Sequence, residues 1–459
     1  MKRYDPRNAQ DVVDRVRQVM STTEAADGAR AAATAARGEA DTAFDFSTLP
    51  EYDILKLKKA VGDIAGIENP YYRLHDGRAS ETTSIDGRVV VNFASYDYLG
   101  LNGHLRVLAA AKAAIDRYGT SVSASRLSAG ERPVHRELEA ALANLHGVES
   151  AVAFVSGHAT NVSAIGTLLA KDDLIVTDTV IHNSVTEGAR LSGARLILCK
   201  HGDMTALERV LRVHRARHRR ALIIVEGLYS MDGDVPDLAA LIALKRRYNA
   251  WLMVDEAHST GVLGARGCGI AEEQGIDPRQ VDIWMGTLSK TLSASGGYIA
   301  GSRALVELIK YTCGGFVYSV GLSPPVAAAS LAAIEVMQKS TWRLRKLRHN
   351  GRVFIAGAKA RGLDVAGSIG AAIIPVLVGN SPHAVALSQR LLARGYNVPP
   401  AIFPGVPENQ ARLRFFITSR HNRQQIEGVL DATAAELDEV RRSPSFVKMV
   451  SEHLKKSPG

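Results

Sequence analysis

The chain has 459 residues, of which 46% are hydrophobic and 22% charged, with a formal net charge of +9. That length supports a large domain plus a smaller one with a core that needs no staples, and the composition excludes a disordered or fibrous chain. Cys199, Cys268 and Cys313 have no metal-ligand spacing, so neither a metal site nor a disulfide framework is expected, and so few cysteines suit a reducing cytoplasm.

Residues 1–46 read as a mobile extension. Gln10–Met20 places Val12, Val13, Val16 and Met20 on one side of a short helix. Ser21–Ala43 is rich in Ala, Thr and Gly with few large apolar residues, the composition of a linker. No apolar signal region follows Met1-Lys2-Arg3-Tyr4-Asp5-Pro6, and no apolar run reaches the roughly 18–20 residues of a membrane span, so a cytoplasmic protein without a transmembrane segment is expected. The core is expected to begin near Phe44–Tyr52, in an N-terminal segment (47–98) with a polar hairpin-like stretch at Tyr71–Val91.

From Ala151 onward short apolar runs alternate with helix-sized intervals. The runs are Ala151–Val155, Leu174–Thr177, Leu196–Cys199, Leu222–Val225, Leu252–Val254, Ile283–Met285 and Tyr298–Ala300. Such spacing predicts an α/β fold, a largely parallel sheet covered by helices, in a large domain over 99–325. After Pro324-Pro325 an Ala-rich helix, Val326–Lys339, leads into a different pattern. There Ile373–Val378, Asn397–Ile402 and Leu413–Ile417 are strand-like, with helices at His383–Arg394 and Arg423–Val440. This predicts a smaller C-terminal α+β domain over 326–445, followed by a tail, 446–459.

Ligands of open α/β sheets sit beyond the strand C-termini, where the notable polar residues fall. Asp255 ends the run Trp251–Val254, and Lys290 follows the run Val281–Met285 within Gly286-Thr287-Leu288-Ser289-Lys290. A lysine for a Schiff base and an aspartate for a pyridinium nitrogen are what a pyridoxal-phosphate site requires. Ser156-Gly157-His158 opens a helix-like segment after the first run; alone it is an ordinary turn, but beside Lys290 it reads as a phosphate-binding helix N-terminus. Thr287 can present its hydroxyl to the same phosphate, and His258 can reach the ring hydroxyl. His182, after the second run, is placed to stack on the cofactor face.

Arg209, Arg212, Arg215, Arg217, Arg219 and Arg220 crowd one stretch with His214 and His218. A solvated helix face explains them, and a field drawing in an anionic donor, coenzyme A or an acidic carrier protein, is the sharper alternative. No DNA-reading motif or aromatic interleaving accompanies the charge, so no nucleic-acid partner is expected.

The ordered motifs Asn92-Phe93-Ala94-Ser95-Tyr96-Asp97-Tyr98-Leu99-Gly100-Leu101, His135-Arg136-Glu137-Leu138-Glu139 and Glu226-Gly227-Leu228-Tyr229-Ser230-Met231-Asp232-Gly233-Asp234 flank these segments. Gly296-Gly297-Tyr298, Phe316-Val317-Tyr318-Ser319 and Ala411-Arg412-Leu413-Arg414 complete the set. Together they resemble the α-oxoamine synthases, a fold-type I pyridoxal-phosphate family that includes aminooxononanoate synthase, 2-amino-3-ketobutyrate ligase, 5-aminolevulinate synthase and serine palmitoyltransferase. The resemblance implies decarboxylative condensation of a small amino acid with an acyl thioester. It makes Lys290 the Schiff-base lysine, Asp255 the ring-nitrogen partner, His182 the stacking histidine, and Ser230 and His258 the contacts of the ring hydroxyl. By the same resemblance Arg414 anchors the substrate carboxylate, and Ser319 reaches the phosphate of the neighbouring subunit in a homodimer.

Tyr96 and Ala159-Thr160-Asn161 lean toward the sphingolipid branch and toward serine, with glycine and alanine as the alternatives. His158 replaces the family's usual aromatic residue, Val320 its usual threonine, and Ala371-Ala372 its usual Ser-Pro. An aminotransferase or β-eliminating lyase would share the lysine and aspartate. A non-catalytic partner subunit would lack Lys290.

Overall fold

A computed structural model describes residues 46–64 and 68–442. The helix expected over Gln10–Met20, the Ser21–Ala43 linker and the 446–459 tail lie outside the described residues.

The first ordered strands are β1 (His75–Asp76), β2 (Thr82–Ile85) and β3 (Arg88–Asn92), an antiparallel ladder within the expected hairpin stretch. Asp86 and Gly87 turn β2 into β3 with φ of 51° and 74°, the left-handed pair that a two-residue hairpin needs. The described part of Phe44–Tyr52 does not open the core. Phe46 is 82% exposed, and Tyr52 and Ile54 on the helix Pro50–Ile64 are exposed too, with Leu57 buried.

Seven strands build the large sheet: β4 (Ser150–Phe154), β5 (Leu174–Asp178), β6 (Arg195–Cys199), β7 (Ala221–Glu226), β8 (Trp251–Asp255), β9 (Ile283–Thr287) and β10 (Gly297–Gly301). Their order is β4-β10-β9-β8-β7-β5-β6, with β10 antiparallel to both neighbours and the other pairings parallel. All seven are the apolar runs of the sequence. Every residue of β5, β7, β9 and β10 is buried, as helices covering both faces demand. Alternation along the strands divides the core. Leu174, Val176, Ile223 and Val254 face one cluster, while Ile175, Ile224, Met253 and Ile299 face the other. Parallel register brings the C-terminal ends of β5, β7, β8 and β9 to one edge.

The last strands are β11 (Ile373–Gly379), β12 (Tyr396–Asn397), β13 (Pro400–Ala401) and β14 (Ala411–Phe416). β11, β14 and β13 form an antiparallel sheet, while β12 pairs in parallel with β3 and extends the N-terminal ladder. The single strand expected over Asn397–Ile402 is therefore split between two sheets, because Pro399 and Pro400 have no N–H to continue a ladder. The helix Pro324–Lys339, assigned by sequence to the C-terminal unit, packs instead on the helices Leu105–Tyr118 and Pro133–His146. Its buried Ala327, Ala329 and Ala333 permit that approach. Between it and β11 lies a 20-residue helix, Thr341–Ala360, that the sequence reading passed over. Leu344, Leu347, Phe354 and Ala358 give it a buried stripe hidden among basic residues.

Half of the basic stretch is engaged in contacts with the fold. Arg219 pairs with buried Asp173 at 2.8 Å, Arg215 donates to backbone carbonyls of Tyr248 and Asn249, and Arg220 donates to Leu168 O and lies over the Trp251 ring. Arg209, Arg212 and Arg217 remain exposed.

Candidate active site

A cavity of about 480 Å³ opens beyond the strand ends. Eight of the residues singled out by sequence line it: Ser156, Gly157, His158, His182, Asp255, His258, Thr287 and Lys290. Asp255 ends β8 with 4% exposure. Its oxygens are taken by neutral donors, the Asn161 side-chain amide at 2.9 Å and the Ala257 N–H at 2.9 Å. Lys290 keeps access to the cavity, but the protein packed around it pushes its amine pKa down to about 8, against the pull of the Asp255 and Glu226 carboxylates. About a tenth of the amine is thus neutral at pH 7, and the fraction grows as pH nears 8.

One wall is a cradle built from backbone. Ser156 caps the helix Gly157–Leu168, its hydroxyl accepting from Ala159 N at 3.3 Å. A Cβ on Gly157 would stand 2.8 Å from Thr287 Oγ1, and one on Gly297 would stand 2.6 Å from Gly157 Cα. The glycines therefore let the helix N-terminus close on β9 and β10, with the Gly157 and His158 N–H groups of its first turn left to face an anion. Thr287 Oγ1 donates to Gly296 O at 2.9 Å and accepts from Ser289 N at 3.2 Å, which fixes its hydroxyl beside the cradle.

The His258 and His182 imidazoles are both pushed toward the neutral form. Burial drives the His258 pKa well below its usual value, with Lys290, Arg414 and His182 adding repulsion. Its Nδ1 meets the Tyr98 hydroxyl at 2.7 Å. His182 stands on the open wall and caps the helix Asn183–Ser192, its Nδ1 2.7 Å from Ser184 Oγ. Partial burial lowers its pKa, opposed by the Asp255 charge and aided by Lys290. His158 is exposed, its ring edge-on to His182 at 6.2 Å.

The remaining expected residues lie around the cavity rather than along its wall. Tyr96 presents its ring 5.7 Å from Lys290 Nζ and packs edge-on against Phe416 at 4.8 Å. Arg414 on β14 donates from Nη1 to Ser230 O at 3.0 Å, lies 5.1 Å over the Phe416 ring, and leaves its buried Nε unpartnered. Ser230 is buried and enters through that carbonyl and through its N–H, which donates to Glu226 Oε2 at 2.9 Å. Ser319 is not brought to this cavity. It is half-buried, its hydroxyl donating to Val320 O at 3.2 Å, and it lines a separate hollow with Arg126 and Phe316.

Sequence reasoning missed Glu226, Asn161 and Tyr98 as parts of the site. Glu226 ends β7 in register with Asp255, lines the cavity, and has a buried Oε1 without a partner. Burial, then the Asp255 charge, raises its pKa to about 8. The signal was present, since Glu226 ends an apolar run as Asp255 does. Asn161 bridges Asp255 to Ser184 Oγ through one amide nitrogen, a contact that its branch-typical segment Ala159-Thr160-Asn161 did not announce.

The aminotransferase class I and II family matches residues 88–432, most of the chain and all of this site. The chain belongs to this family. It is 41% identical to the 8-amino-7-oxononanoate synthase of Anaeromyxobacter dehalogenans, over 78% of this chain and 88% of that one. With the 8-amino-7-oxononanoate synthase of Thermoanaerobacter pseudethanolicus identity is 36%, over 84% and 97%. The solved serine palmitoyltransferase of Sphingomonas wittichii superposes with a TM-score of 0.82 at 29% identity, covering 87% of this chain and all of that one. The 8-amino-7-oxononanoate synthase of Francisella tularensis gives 0.67 at 25% identity, over 76% and 98%. Both kinds are α-oxoamine synthases, which makes this chain a pyridoxal-phosphate-dependent acyltransferase of fold-type I. The residues present fit that cofactor: a buried carboxylate with only neutral donors, an amine of lowered pKa and a helix N-terminus cleared by glycines.

Proposed function

We propose that this enzyme condenses L-serine with an acyl thioester, losing CO₂ and the thiol and giving an α-amino ketone. The decarboxylative condensation of an amino acid with an acyl thioester is the chemistry of the α-oxoamine synthases. Pyridoxal phosphate, when bound, supplies the electron sink that makes a carbanion at Cα accessible. In our reading Lys290 holds the cofactor through its amine, Asp255 keeps a proton on the ring nitrogen, and His182 covers the ring face. Ser156, Gly157, His158 and Thr287 surround the phosphate, and His258 and Ser230 attend the ring hydroxyl. Arg414 binds the amino-acid carboxylate through a fork suited to two oxygens. Lys290 Nζ, released by the incoming amine, takes the Cα proton and later returns one to the product carbon.

The observation that carries this reading is the convergence of Lys290, Asp255, His182 and His258 on one cavity with the Tyr96 ring 5.7 Å from Lys290 Nζ. Serine is favoured because Tyr96 and the segment Ala159-Thr160-Asn161 lean to the sphingolipid branch, and Tyr96 and Asn161 of that set stand at this site. The 36–41% identity with 8-amino-7-oxononanoate synthases supports a second reading, with alanine as the amino acid. Titrating the holoenzyme with glycine, L-alanine and L-serine, followed by cofactor absorbance and then product mass with short and long acyl-coenzyme A, separates the two. A site built to hydrogen-bond a hydroxyl rejects the analogue lacking it by about 10⁴–10⁵, so a serine enzyme should respond decisively to serine. A larger response to alanine selects the second reading.

Our reading extends to assembly. Exposed Phe46, Tyr72 and Leu74, at 82%, 98% and 85%, support a homodimer, and Ser319 would then serve the partner's phosphate site. Arg209, Arg212 and Arg217 leave room for an acidic carrier protein as acyl donor beside coenzyme A. Three free cysteines, two of them buried, support a cytoplasmic location. Among the described residues no helix is long and apolar enough to cross a membrane.

A further inference from the structure

One cluster outside the cavity is built as carefully as the site. His201, two residues past β6, stands between two carboxylates: Nδ1 is 2.9 Å from Asp178 Oδ2 and Nε2 is 3.0 Å from Asp234 Oδ2. Both ring nitrogens face an acceptor, so both must carry protons, and only the imidazolium satisfies this. The Tyr229 ring closes edge-on at 4.4 Å.

Asp234 ends a closed loop. Tyr229 N donates to Asp234 O and Gly233 N to Tyr229 O, each at 2.9 Å. The small domain grips the loop's other side. Arg412 pairs with the Asp232 carboxylate and donates to Met231 O at 3.3 Å, Ile369 N donates to Gly233 O at 3.0 Å, and Arg414 donates to Ser230 O. Gly233, at φ 69°, lies so close to β11 that a Cβ would stand 2.2 Å from Ile373 O.

We propose that Ser230–Asp234 is a brace between the domains and that His201, as a cation, is a positioning residue that sets Arg414 for the amino-acid carboxylate. This rests on the reading of Arg414 as the carboxylate anchor. Neutral imidazole would turn a lone pair toward one aspartate and release one end of the loop that carries Ser230 O. The charged and titratable groups around His201 are Asp178, Asp234, Asp232 and Tyr229, with Arg412 paired to Asp232 and Glu226 facing Asp178 and Tyr229. The two carboxylates overcome partial burial and lift the His201 pKa to about 10. The brace therefore holds through neutral pH and loosens as pH rises toward that value.

The test uses the holoenzyme, with the amino-acid dissociation constant read from cofactor absorbance and thioester KM from turnover. His201→Gln should weaken the amino acid on the order of tenfold, as loss of a charge-assisted bond does, with thioester KM unchanged. The double variant with Arg414→Ala should bind no worse than Arg414→Ala alone, since both act through one guanidinium. Asp234→Asn keeps an acceptor but removes one charge, so the pH at which amino-acid affinity fails should move down; NMR of the His201 ring should show the same shift. If His201→Gln and Arg414→Ala weaken binding additively, or if His201→Gln lowers thermal stability with amino-acid affinity intact, the brace is overturned. If Arg414→Ala leaves amino-acid affinity intact, the anchor reading itself fails.

Discussion

Removing the guanidinium of Arg414 tests the substrate assignment most directly. Its Nη1 is engaged by Ser230 O at 3.0 Å, its Cζ lies 5.1 Å over the Phe416 ring, and its buried Nε has no partner. The fork is thus held in place with donor capacity unspent. A charge-assisted contact of this kind contributes about 1.5–3 kcal/mol, so Arg414→Ala should raise the amino-acid KM by about 10- to 150-fold. Arg414→Lys retains the charge but not the fork, and should fall between wild type and alanine. A second consequence is electrostatic. Arg414 is among the cations that depress the Lys290 amine, so its loss should raise the Lys290 pKa above about 8, and lysine in its place should not. Initial-rate kinetics in both substrates, with a pH series, give both readouts. A thioester KM that moves more than the amino-acid KM would refute Arg414 as the carboxylate anchor.

Lys290→Ala should fold, bind phosphate in the cradle, and show neither the visible band of covalently held cofactor nor product; turnover by the purified variant would overturn the assignment. Because burial places the Lys290 pKa at about 8, the neutral amine forms as pH rises through that value, so apo-enzyme should load cofactor faster up to about pH 8–9 and then level off. A stopped-flow absorbance series that is flat from pH 6 to 9 would contradict this. Gly157→Ala forces a methyl against Thr287 Oγ1, and overpacking of about 1–3 kcal/mol should weaken cofactor affinity more than amino-acid affinity. Dialysis against graded cofactor concentrations measures it, and unaltered retention would remove Gly157 from the cradle.

The large sheet was legible because strands buried on both faces are written as uninterrupted apolar runs, and each β-strand from β4 to β10 coincides with one. The placement of Asp255 was legible for a related reason. A charged residue that ends such a run must lie at the sheet edge, as Asp255 does at the end of β8. The same reasoning applied evenly would have found Glu226 at the end of β7. The helix Thr341–Ala360 escaped notice because Arg343, Arg345, Lys346, Arg348 and Arg352 interrupt its apolar stripe as seen along the chain, though not as seen around the helix. The split of Asn397–Ile402 was signalled by two prolines whose missing donors matter only once two ladders compete for the same stretch.

What no residue pattern announces is the joint between the domains. Arg414 is recognisable as a guanidinium, but its placement depends on Ser230 O, and Arg412 depends in part on Met231 O. Backbone carbonyls are present at every position and mark none. The segment Tyr229–Asp234 reveals its role only when its side chains are followed outward: Asp234 to His201 and the large sheet, Asp232 to Arg412 and the small one. An active site divided between two domains needs such a joint, because an error of about 1 Å in a positioning group costs roughly a hundredfold in rate. Here the joint is made of opposite charges on buried or half-buried groups, which hold a geometry more firmly than apolar contact and respond to proton concentration as apolar contact cannot.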